Sequence, residues 1–373
     1  MPSPLAPSAP RILVTGASGV LGSDLLPALL QRWPDADITT VSRKRFSSFA
    51  AATRHIEQDL CAPLARNDAL REAVVSADYI IHLAANVAWG LPDKQAIEAN
   101  TRSTERLLGF CRQHSTRLKR FVHMSTAYVQ GRTLIDDGTR PCQRSTFNNS
   151  YELSKYLSEQ AVVDSGLPFA IVRPSLVVGR SDTGYVDAFN GLYYLLRFYC
   201  GGYLPVIAGD ARATVDVVPV DYVTRATLRA LTDTSDGRVY WAISGERSPA
   251  VATLVDNLTA LVNARRAGTG AVALPPPGIV SRFNWETLLR PMILREAQPS
   301  LQRMISYVDV FLPYFSMTGQ FSPAPADHVE QSPPAAQYLR TVVDFWCDNN
   351  ARLINREQRL NLPTDISAFQ TLS

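Results

Sequence analysis

The first half of the chain alternates short apolar runs with longer stretches in which apolar residues recur every three or four positions. The short runs are typical of buried strands, and the longer stretches have helical periodicity. This alternation predicts parallel βαβ units with right-handed crossovers, and hence an α/β, doubly wound parallel sheet, the Rossmann fold. Strands are predicted over residues 11–15, 37–42, 54–57, 78–82, 120–124 and 169–173, and helices over residues 20–32, 68–75, 94–114 and 151–165.

The alternation breaks after Pro174. Residues 187–203 are dense in aromatic side chains, and the composition shifts again at the three prolines of residues 275–277. We therefore predict a Rossmann dinucleotide-binding domain over residues 11–264, of which residues 174–210 contribute to a substrate lobe. A smaller, mainly helical C-terminal substrate lobe is predicted over residues 265–373, and a flexible leader over residues 1–10. After Pro174, further strands are expected at 213–218 and 238–243, helices at 221–231 and 250–264, and a loop at 322–334.

Composition excludes several functional classes. The 373 residues are 46% hydrophobic and 19% charged, and the net charge of +3 gives no basic face for nucleic acid. Five scattered cysteines without metal-ligand spacing indicate reduced thiols, a cytoplasmic protein and no metal site. No apolar run is long enough for an integral membrane segment. The sequence leaves the oligomeric state open.

A glycine-rich run follows the first predicted strand and opens the first helix. Glycines allow a tight turn and close backbone approach, and the helix N-terminus offers free N–H groups to a pyrophosphate. The spacing is GxxGxxG, so a plain strand–turn–helix connection is the alternative interpretation. The candidate cofactor-binding residues in this run are Gly16, Ser18, Gly19, Val20, Leu21 and Gly22.

The end of the second strand bears on the choice of cofactor. NAD sites place a carboxylate there to accept from the ribose 2′-OH, but this chain has cations, which suit the 2′-phosphate of NADPH. The alternative is a solvated basic loop. The candidate residues are Ser42, Arg43 and Lys44, joined by Asp59 and Leu60 after the third strand for the adenine and by Ala84 and Ala85 after the fourth.

Three further positions carry candidate chemistry. Ser125 and Thr126 end the fifth strand, at the sheet edge where ligands bind, although either hydroxyl could instead cap a turn. Asn100 falls inside a predicted helix, which is unfavourable by propensity, so it either bridges helix and site or is exposed. Tyr151 and Lys155 are four apart on the next helix and share one face, with Asn149 or Ser150 as its cap. An ammonium beside a phenol lowers the phenol pKa, which suits a tyrosine that transfers a proton to a carbonyl oxygen.

These motifs occur in an order that resembles the extended short-chain dehydrogenase/reductases. The chain is most similar to the fatty acyl-CoA reductase and thioester reductase branch, which carries the male-sterility-type NAD-binding domain. The runs that support this are 82–89, 125–129, 173–179, 218–223 and 239–245. The similarity covers residues 11–250, and the C-terminal part departs from it.

The resemblance implies a catalytic set of Thr126, Tyr151 and Lys155, with Lys155 also holding the cofactor ribose. It implies that Asn100, Pro174 and Ser175 lie near the cofactor. The implied activity is NADPH-dependent reduction of an acyl thioester, on CoA or a carrier protein, to an aldehyde, with reduction on to the alcohol left open.

Other functions use the same residues. One alternative is an NADPH-dependent ketone or aldehyde reductase, a hydroxysteroid-type dehydrogenase or a sugar epimerase of the same superfamily. Another is a non-catalytic NADP-sensing protein, against which the intact catalytic set counts. The aromatic run at 187–203 fits an acyl tunnel, the core of the second lobe, or a membrane-surface contact, the last ranked lowest because Asn190 and Arg197 interrupt it.

Overall fold

The structure is a computed structural model that describes residues 9–44, 53–133, 143–296, 305 and 309–355. Residues 1–8 of the predicted leader lie outside these ranges. The chain forms two compact units. The first unit comprises Met1–Ser175, Val220–Ile243 and Ser322–Glu330, and the second comprises Leu176–Pro219, Ser244–Phe321 and Gln331–Ser373.

An eight-stranded sheet organises the first unit, in the order β12-β10-β6-β5-β4-β1-β2-β3. The strands β1 to β6 and β10 pair in parallel, and their order 3-2-1-4-5-6 is that of the Rossmann fold. The predicted fold class is thus confirmed. The strands are β1 (Arg11–Thr15), β2 (Asp37–Ser42), β3 (Thr53–Glu57), β4 (Tyr79–His82), β5 (Arg120–Met124), β6 (Phe169–Pro174), β10 (Arg238–Ile243) and β12 (His328–Gln331).

Helices cover the sheet because parallel strands are apolar on both faces. Strand β5 is buried at every position, and its Phe121 packs in a cluster with Leu13, Ile80 and Leu107. The helices are α1 (Val20–Arg32), α2 (Asp68–Ser76), α3 (Asp93–Ala96), α4 (Ser103–His114), α5 (Ser150–Val163) and α7 (Val220–Thr232), with short 3₁₀ segments at Ala127–Thr133 and Arg144–Thr146.

The second unit contains small sheets and several helices. Two parallel pairs of strands, β7 with β9 and β8 with β11, accompany the helices. The strands are β7 (Leu176–Val178), β8 (Val206–Ala208), β9 (Val217–Pro219) and β11 (Gly278–Val280). The helices are α6 (Leu192–Cys200), α8 (Val251–Ala267), α9 (Arg282–Asn284), α10 (Arg290–Glu296), α11 (residues 309–315), α12 (Ala335–Asn349) and α13 (Ala351–Ile354), with a 3₁₀ turn at Gly245–Arg247 and a π-helical segment at Trp285–Leu289.

The structure differs from the sequence-based division in two places. Helix α8 belongs to the second unit, whereas the prediction placed it in the dinucleotide-binding domain. Strand β12 lies within the predicted loop 322–334 and supplies an edge strand beside β10. Its sequence, HVEQ, has one apolar residue, so it lacks the pattern of a buried strand.

A matched pair of helical glycines tests the packing of the first helix. A Cβ on Gly22 would lie 2.3 Å from the carbonyl oxygen of Ala17, whereas a Cβ on Gly109 would meet no heavy atom within 4 Å. We expect Gly22→Ala to lower the free energy of unfolding by about 1–3 kcal/mol through overpacking. Gly109→Ala should raise it by about 0.5–1 kcal/mol through helix propensity. Urea unfolding measures both, and a Gly22→Ala protein as stable as wild type would contradict this packing.

Candidate active site

The register of the sheet gathers the predicted site residues at one edge. Thr15 pairs with Val41 on one side and with His82 on the other. His82 pairs with His123, and Met124 pairs with Val172. The last residues of these strands and those that follow them therefore lie at the carboxyl edge of the sheet. They include Gly16, Ser42, Leu83, Ser125 and Pro174.

The glycine loop packs tightly against the end of β4. Gly16 has φ of +71°, and a Cβ there would lie 2.4 Å from the backbone nitrogen of Ala84. Both features require glycine at this position. The Ala84 N–H points to the Thr15 hydroxyl at 3.4 Å, and Ala85 follows it in the half-buried start of the loop.

The first turn of α1 carries no side-chain cap. Gly19 is the N-cap residue and has no side chain to accept from the following N–H groups. Ser18 and Gly19 are exposed, whereas Val20 and Leu21 are half-buried. The arrangement of bare N–H groups beside a glycine cradle fits a pyrophosphate.

The basic run after β2 begins with a tight turn. The Ser42 hydroxyl donates to the Lys44 carbonyl at 2.7 Å, and the Arg43 and Lys44 side chains are exposed. After β3, a carboxylate oxygen of Asp59 accepts from the Cys61 N–H at 2.9 Å, and Leu60 is buried. The Ser42 hydroxyl and one Asp59 oxygen are therefore engaged in hydrogen bonds within their own turns. The Arg43 and Lys44 side chains are exposed at the edge of the sheet.

Asn100 joins two parts of the site. It lies in a π-helical segment, Ile97–Arg102, between α3 and α4. Its side-chain oxygen accepts from the Asn86 N–H at 2.7 Å, and its amide donates to the Asn86 carbonyl at 3.0 Å and to the Ser154 hydroxyl at 2.9 Å. Asn100 is therefore buried and joins the loop after β4 to helix α5, as the bridging interpretation expects. The π-helical segment was not predicted, although such segments are frequent at functional sites.

Helix α5 begins with a side-chain cap. The Asn149 side chain accepts from the Glu152 N–H at 3.0 Å, and the buried Glu152 carboxylate accepts from the Asn148 N–H at 2.8 Å. This reciprocal arrangement is a variant of the capping box, and it fixes the first turn of the helix. The first turn includes Tyr151.

The structure brings Thr126 and Tyr151 together. Their side chains are hydrogen-bonded, and the Thr126 hydroxyl also lies 3.3 Å from the Pro174 carbonyl, which places Pro174 and Ser175 beside it. Ser125 differs from its neighbour. Its hydroxyl oxygen is buried and has no hydrogen-bond partner among the residues that the structure describes. A buried hydroxyl of this kind is expected to bond to a bound group.

The structure corrects the expected electrostatic effect of Lys155 on Tyr151. Burial raises the Tyr151 pKa, with a smaller lowering by the Thr126 hydrogen bond and a small further rise from the Glu152 charge. Because desolvation outweighs the other effects, the phenol is held in its protonated form. Lys155 is itself buried, and desolvation lowers its pKa to about 8 against a raising effect of Glu159.

Two histidines behind the site were missed by the sequence analysis. His123 Nε2 lies 3.3 Å from Lys155 Nζ, and His82 bridges the hydroxyls of Thr15 and Thr104 at 2.7 and 2.9 Å. Burial, helped by the Lys155 charge, lowers the pKa of His82 to about 3 and that of His123 well below its ordinary value. Their position at, or one residue before, the carboxyl ends of adjacent strands was the available signal.

An apolar pocket lies in the second unit. Helix α6, the centre of the aromatic run, contributes to its wall, while the Tyr193 hydroxyl accepts from the Gly179 N–H at 2.8 Å. The wall is apolar apart from one threonine. The lining residues are Leu192, Leu195, Leu196, Tyr199, Leu204, Ile207, Val251, Leu254, Val255, Leu258, Thr259, Pro277 and Phe315.

Known proteins resemble this chain over part of its length. Residues 64–227 match the family model described as Male sterility protein, a NAD-binding domain. Over these residues, fewer than half of the chain, the sequence is similar to that family. Fatty acyl-CoA reductase 1 of Gallus gallus is 28% identical over 286 residues, which cover 59% of this chain and 54% of that protein. The chain thus spans about half the length of the fatty acyl-CoA reductases that it matches.

Other similarities agree with the predicted resemblance. A Stigmatella aurantiaca protein, 4-hydroxy-2-methyl-3-oxo-4-farnesyl-3,4-dihydroquinoline-1-oxide ketoreductase, is 30% identical over 194 residues, covering 50% of this chain and 56% of its own. The terminal R domain of the myxalamid PKS-NRPS pathway superposes with a TM-score of 0.70 at 20% identity, covering 93% of both chains. An archaeal thiolation-reductase di-domain gives 0.64 at 18% identity, covering 92% of this chain and 76% of that one. These structures show a shared fold.

The described residues offer neither a membrane-crossing helix nor a cluster of metal ligands. In that part of the chain, no helix combines the length and apolar character needed to cross a membrane. The same residues contain no cluster of three or more histidine, cysteine or acidic side chains arranged to hold a metal ion.

The buried histidines predict a dependence of stability on pH. A histidine that cannot take up a proton in the folded state but does so with a pKa near 6.5 when unfolded favours the unfolded state as the pH falls. Between about pH 6.5 and 5, we expect His82 and His123 each to reduce the free energy of unfolding by about 1.4 kcal/mol per pH unit. Lys155 adds no slope in this window because it is charged in both states there. Urea unfolding at several pH values measures the slope.

The variant His82→Gln should remove about half of that slope, and His114→Gln on the surface of α4 is the control for loss of an imidazole. An unchanged slope in His82→Gln would contradict the neutral state of His82.

Proposed function

We propose that this protein reduces an acyl thioester, carried on CoA or on a carrier protein, to the aldehyde with NADPH as the reductant. The observation that carries the proposal is the hydrogen-bonded pair of Thr126 and Tyr151, one helical turn from the buried Lys155, at the sheet edge that also holds the glycine cradle. The fatty acyl-CoA reductases among the relatives and the thiolation-reductase neighbour support a thioester as the substrate.

The residues of the sheet edge fit a dinucleotide. The Gly16 cradle and the uncapped α1 terminus would hold the pyrophosphate, and the Ser125 hydroxyl has a free bonding capacity. Arg43 and Lys44 would meet a 2′-phosphate, which favours NADPH over NADH. When bound, the cofactor supplies a hydride to the carbonyl carbon.

The side chains of the site determine the proton chemistry. The Tyr151 phenol, protonated because it is desolvated, donates to the carbonyl oxygen, and Thr126 holds the phenol in place. Charge that develops on that oxygen is stabilised by hydroxyl donors in a site shielded from water. Tyr151 then delivers its proton, and the tetrahedral product expels the thiol to give an aldehyde. Lys155, four residues on, lies where its ammonium can support the phenolate that remains.

A ketone reductase is the second candidate. It is favoured by the Stigmatella ketoreductase, which is 30% identical over half of this chain. The proton chemistry of Tyr151 is the same for a ketone, but no leaving group departs.

Removal of one hydroxyl tests the proposal. We expect Tyr151→Phe to lower kcat by about 10²–10⁴-fold because the general acid is lost, while NADPH binding, followed by fluorescence, persists. The matched control is Tyr156→Phe, on the same helix, whose ring packs on Phe147 with centroids 5.3 Å apart. It should retain activity within a few-fold.

The assay is oxidation of NADPH, and separately of NADH, with acyl-CoA, acyl-carrier protein, aldehyde and ketone substrates. Activity on ketones alone would contradict thioester reduction and support the second candidate. Full activity of Tyr151→Phe would contradict the assigned proton donor, and a preference for NADH would contradict the role of Arg43 and Lys44.

A further inference from the structure

A buried ion pair lies directly behind the candidate active site. The Arg173 guanidinium donates to both carboxylate oxygens of Glu159, at 2.9 and 2.6 Å, and both side chains are nearly inaccessible to solvent. Arg173 also lies over the Trp241 ring, 4.9 Å from its centroid, and the Trp241 N–H donates to Asp327 at 2.8 Å. The Glu159 carboxylate is therefore held in one orientation from the side opposite the helix.

Glu159 and Lys155 share one face of α5. They are four residues apart, and the Glu159 charge acts on Lys155 in the direction that favours the ammonium. The other titratable groups around Lys155 give no such support. His123 on β5 and His82 on β4 are neutral, and Tyr151 on α5 is a protonated phenol. Arg173 on β6 is a cation, of the same sign as the ammonium.

Lys155 differs from the other lysines of this chain in being buried. Of 37 basic residues, four are lysines, namely Lys44, Lys94, Lys119 and Lys155. The first three are exposed and Lys155 is buried. A buried amine loses its charge readily, whereas a guanidinium does not, so Lys155 needs a fixed counter-charge to remain an ammonium near neutral pH.

We propose that Glu159, oriented by Arg173, is a positioning residue that keeps Lys155 charged in this desolvated site. Lys155 touches the reacting groups in the proposed function, and Glu159 acts through it. The inference builds on that function, but its test observes the Lys155 amine in the cofactor-free chain. The test can therefore fail while thioester reduction stands, and it can succeed if the substrate proves to be a ketone.

The experiment is a ¹³C NMR titration of the full chain grown with ¹³C-labelled lysine. Four lysines give four sets of side-chain signals, and Lys155→Met assigns the buried one. In the wild-type chain this signal should titrate near pH 8. Folding of each variant is verified by circular dichroism.

Charge removal on the two sides of the pair should shift this titration in opposite directions. Glu159→Gln removes the counter-charge and leaves the Arg173 cation, so the Lys155 pKa should fall by about one pH unit or more. Arg173→Met removes the competing cation and leaves the Glu159 carboxylate with Lys155 as its cation, so the Lys155 pKa should rise. The matched control is Glu152→Gln, which removes the other buried carboxylate of α5 and should leave the Lys155 titration in place.

If Glu159→Gln does not fold, the double variant Glu159→Gln/Arg173→Met decides, because replacement of a buried pair by neutral residues is commonly tolerated. Its Lys155 pKa should lie below that of wild type, since Glu159 is the charge that favours the ammonium. A Lys155 titration equal to wild type in Glu159→Gln, or in the double variant, would overturn the proposal.

Discussion

The three hydrogen bonds of the Asn100 carboxamide hold the candidate site together. Two of them fix the backbone of Asn86 in the loop after β4, and the third reaches Ser154 on α5. A buried amide that lost these partners would carry the full cost of desolvation, so the loop and the helix are bound to one arrangement. The Gly16 cradle packs on the start of the same loop, at Ala84, and Tyr151 lies on the same helix as Ser154. Cofactor loop and proton donor are thereby fixed relative to one another.

Desolvation governs the charges within that frame. It keeps the Tyr151 phenol protonated, His82 and His123 neutral, and the Lys155 amine close to losing its proton. The Glu159–Arg173 pair is the compensating element, because its carboxylate opposes the effect of burial on Lys155. The candidate site therefore combines a protonated phenol with a buried amine whose charge, in our proposal, depends on Glu159.

The sequence predicted the sheet well because its strands are buried on both faces and read as apolar runs. It also offered Asn149 as a cap of α5, since a side-chain acceptor is required there. The π-helical segment around Asn100 has no distinct periodicity over six residues, so it was missed. Strand β12 is polar in sequence and forms because β10 offers an edge.

The predicted direction of the Tyr151 pKa shift was wrong because spacing along a helix reports neighbours but not burial. The assignment of α8 to the second unit likewise depends on contacts distant in sequence.

The central claim is that a hydride reaches the carbonyl carbon of a thioester, and isotope transfer measures it directly. The protein is incubated with NADPH carrying deuterium at the transferring position of the nicotinamide C4, and with an acyl-CoA. The released aldehyde, or the alcohol formed from it, is then analysed by mass spectrometry. The account predicts deuterium on the former thioester carbon, one atom in an aldehyde and two in an alcohol. Release of CoA with no deuterium in the acyl product would show hydrolysis rather than reduction, and would contradict the account.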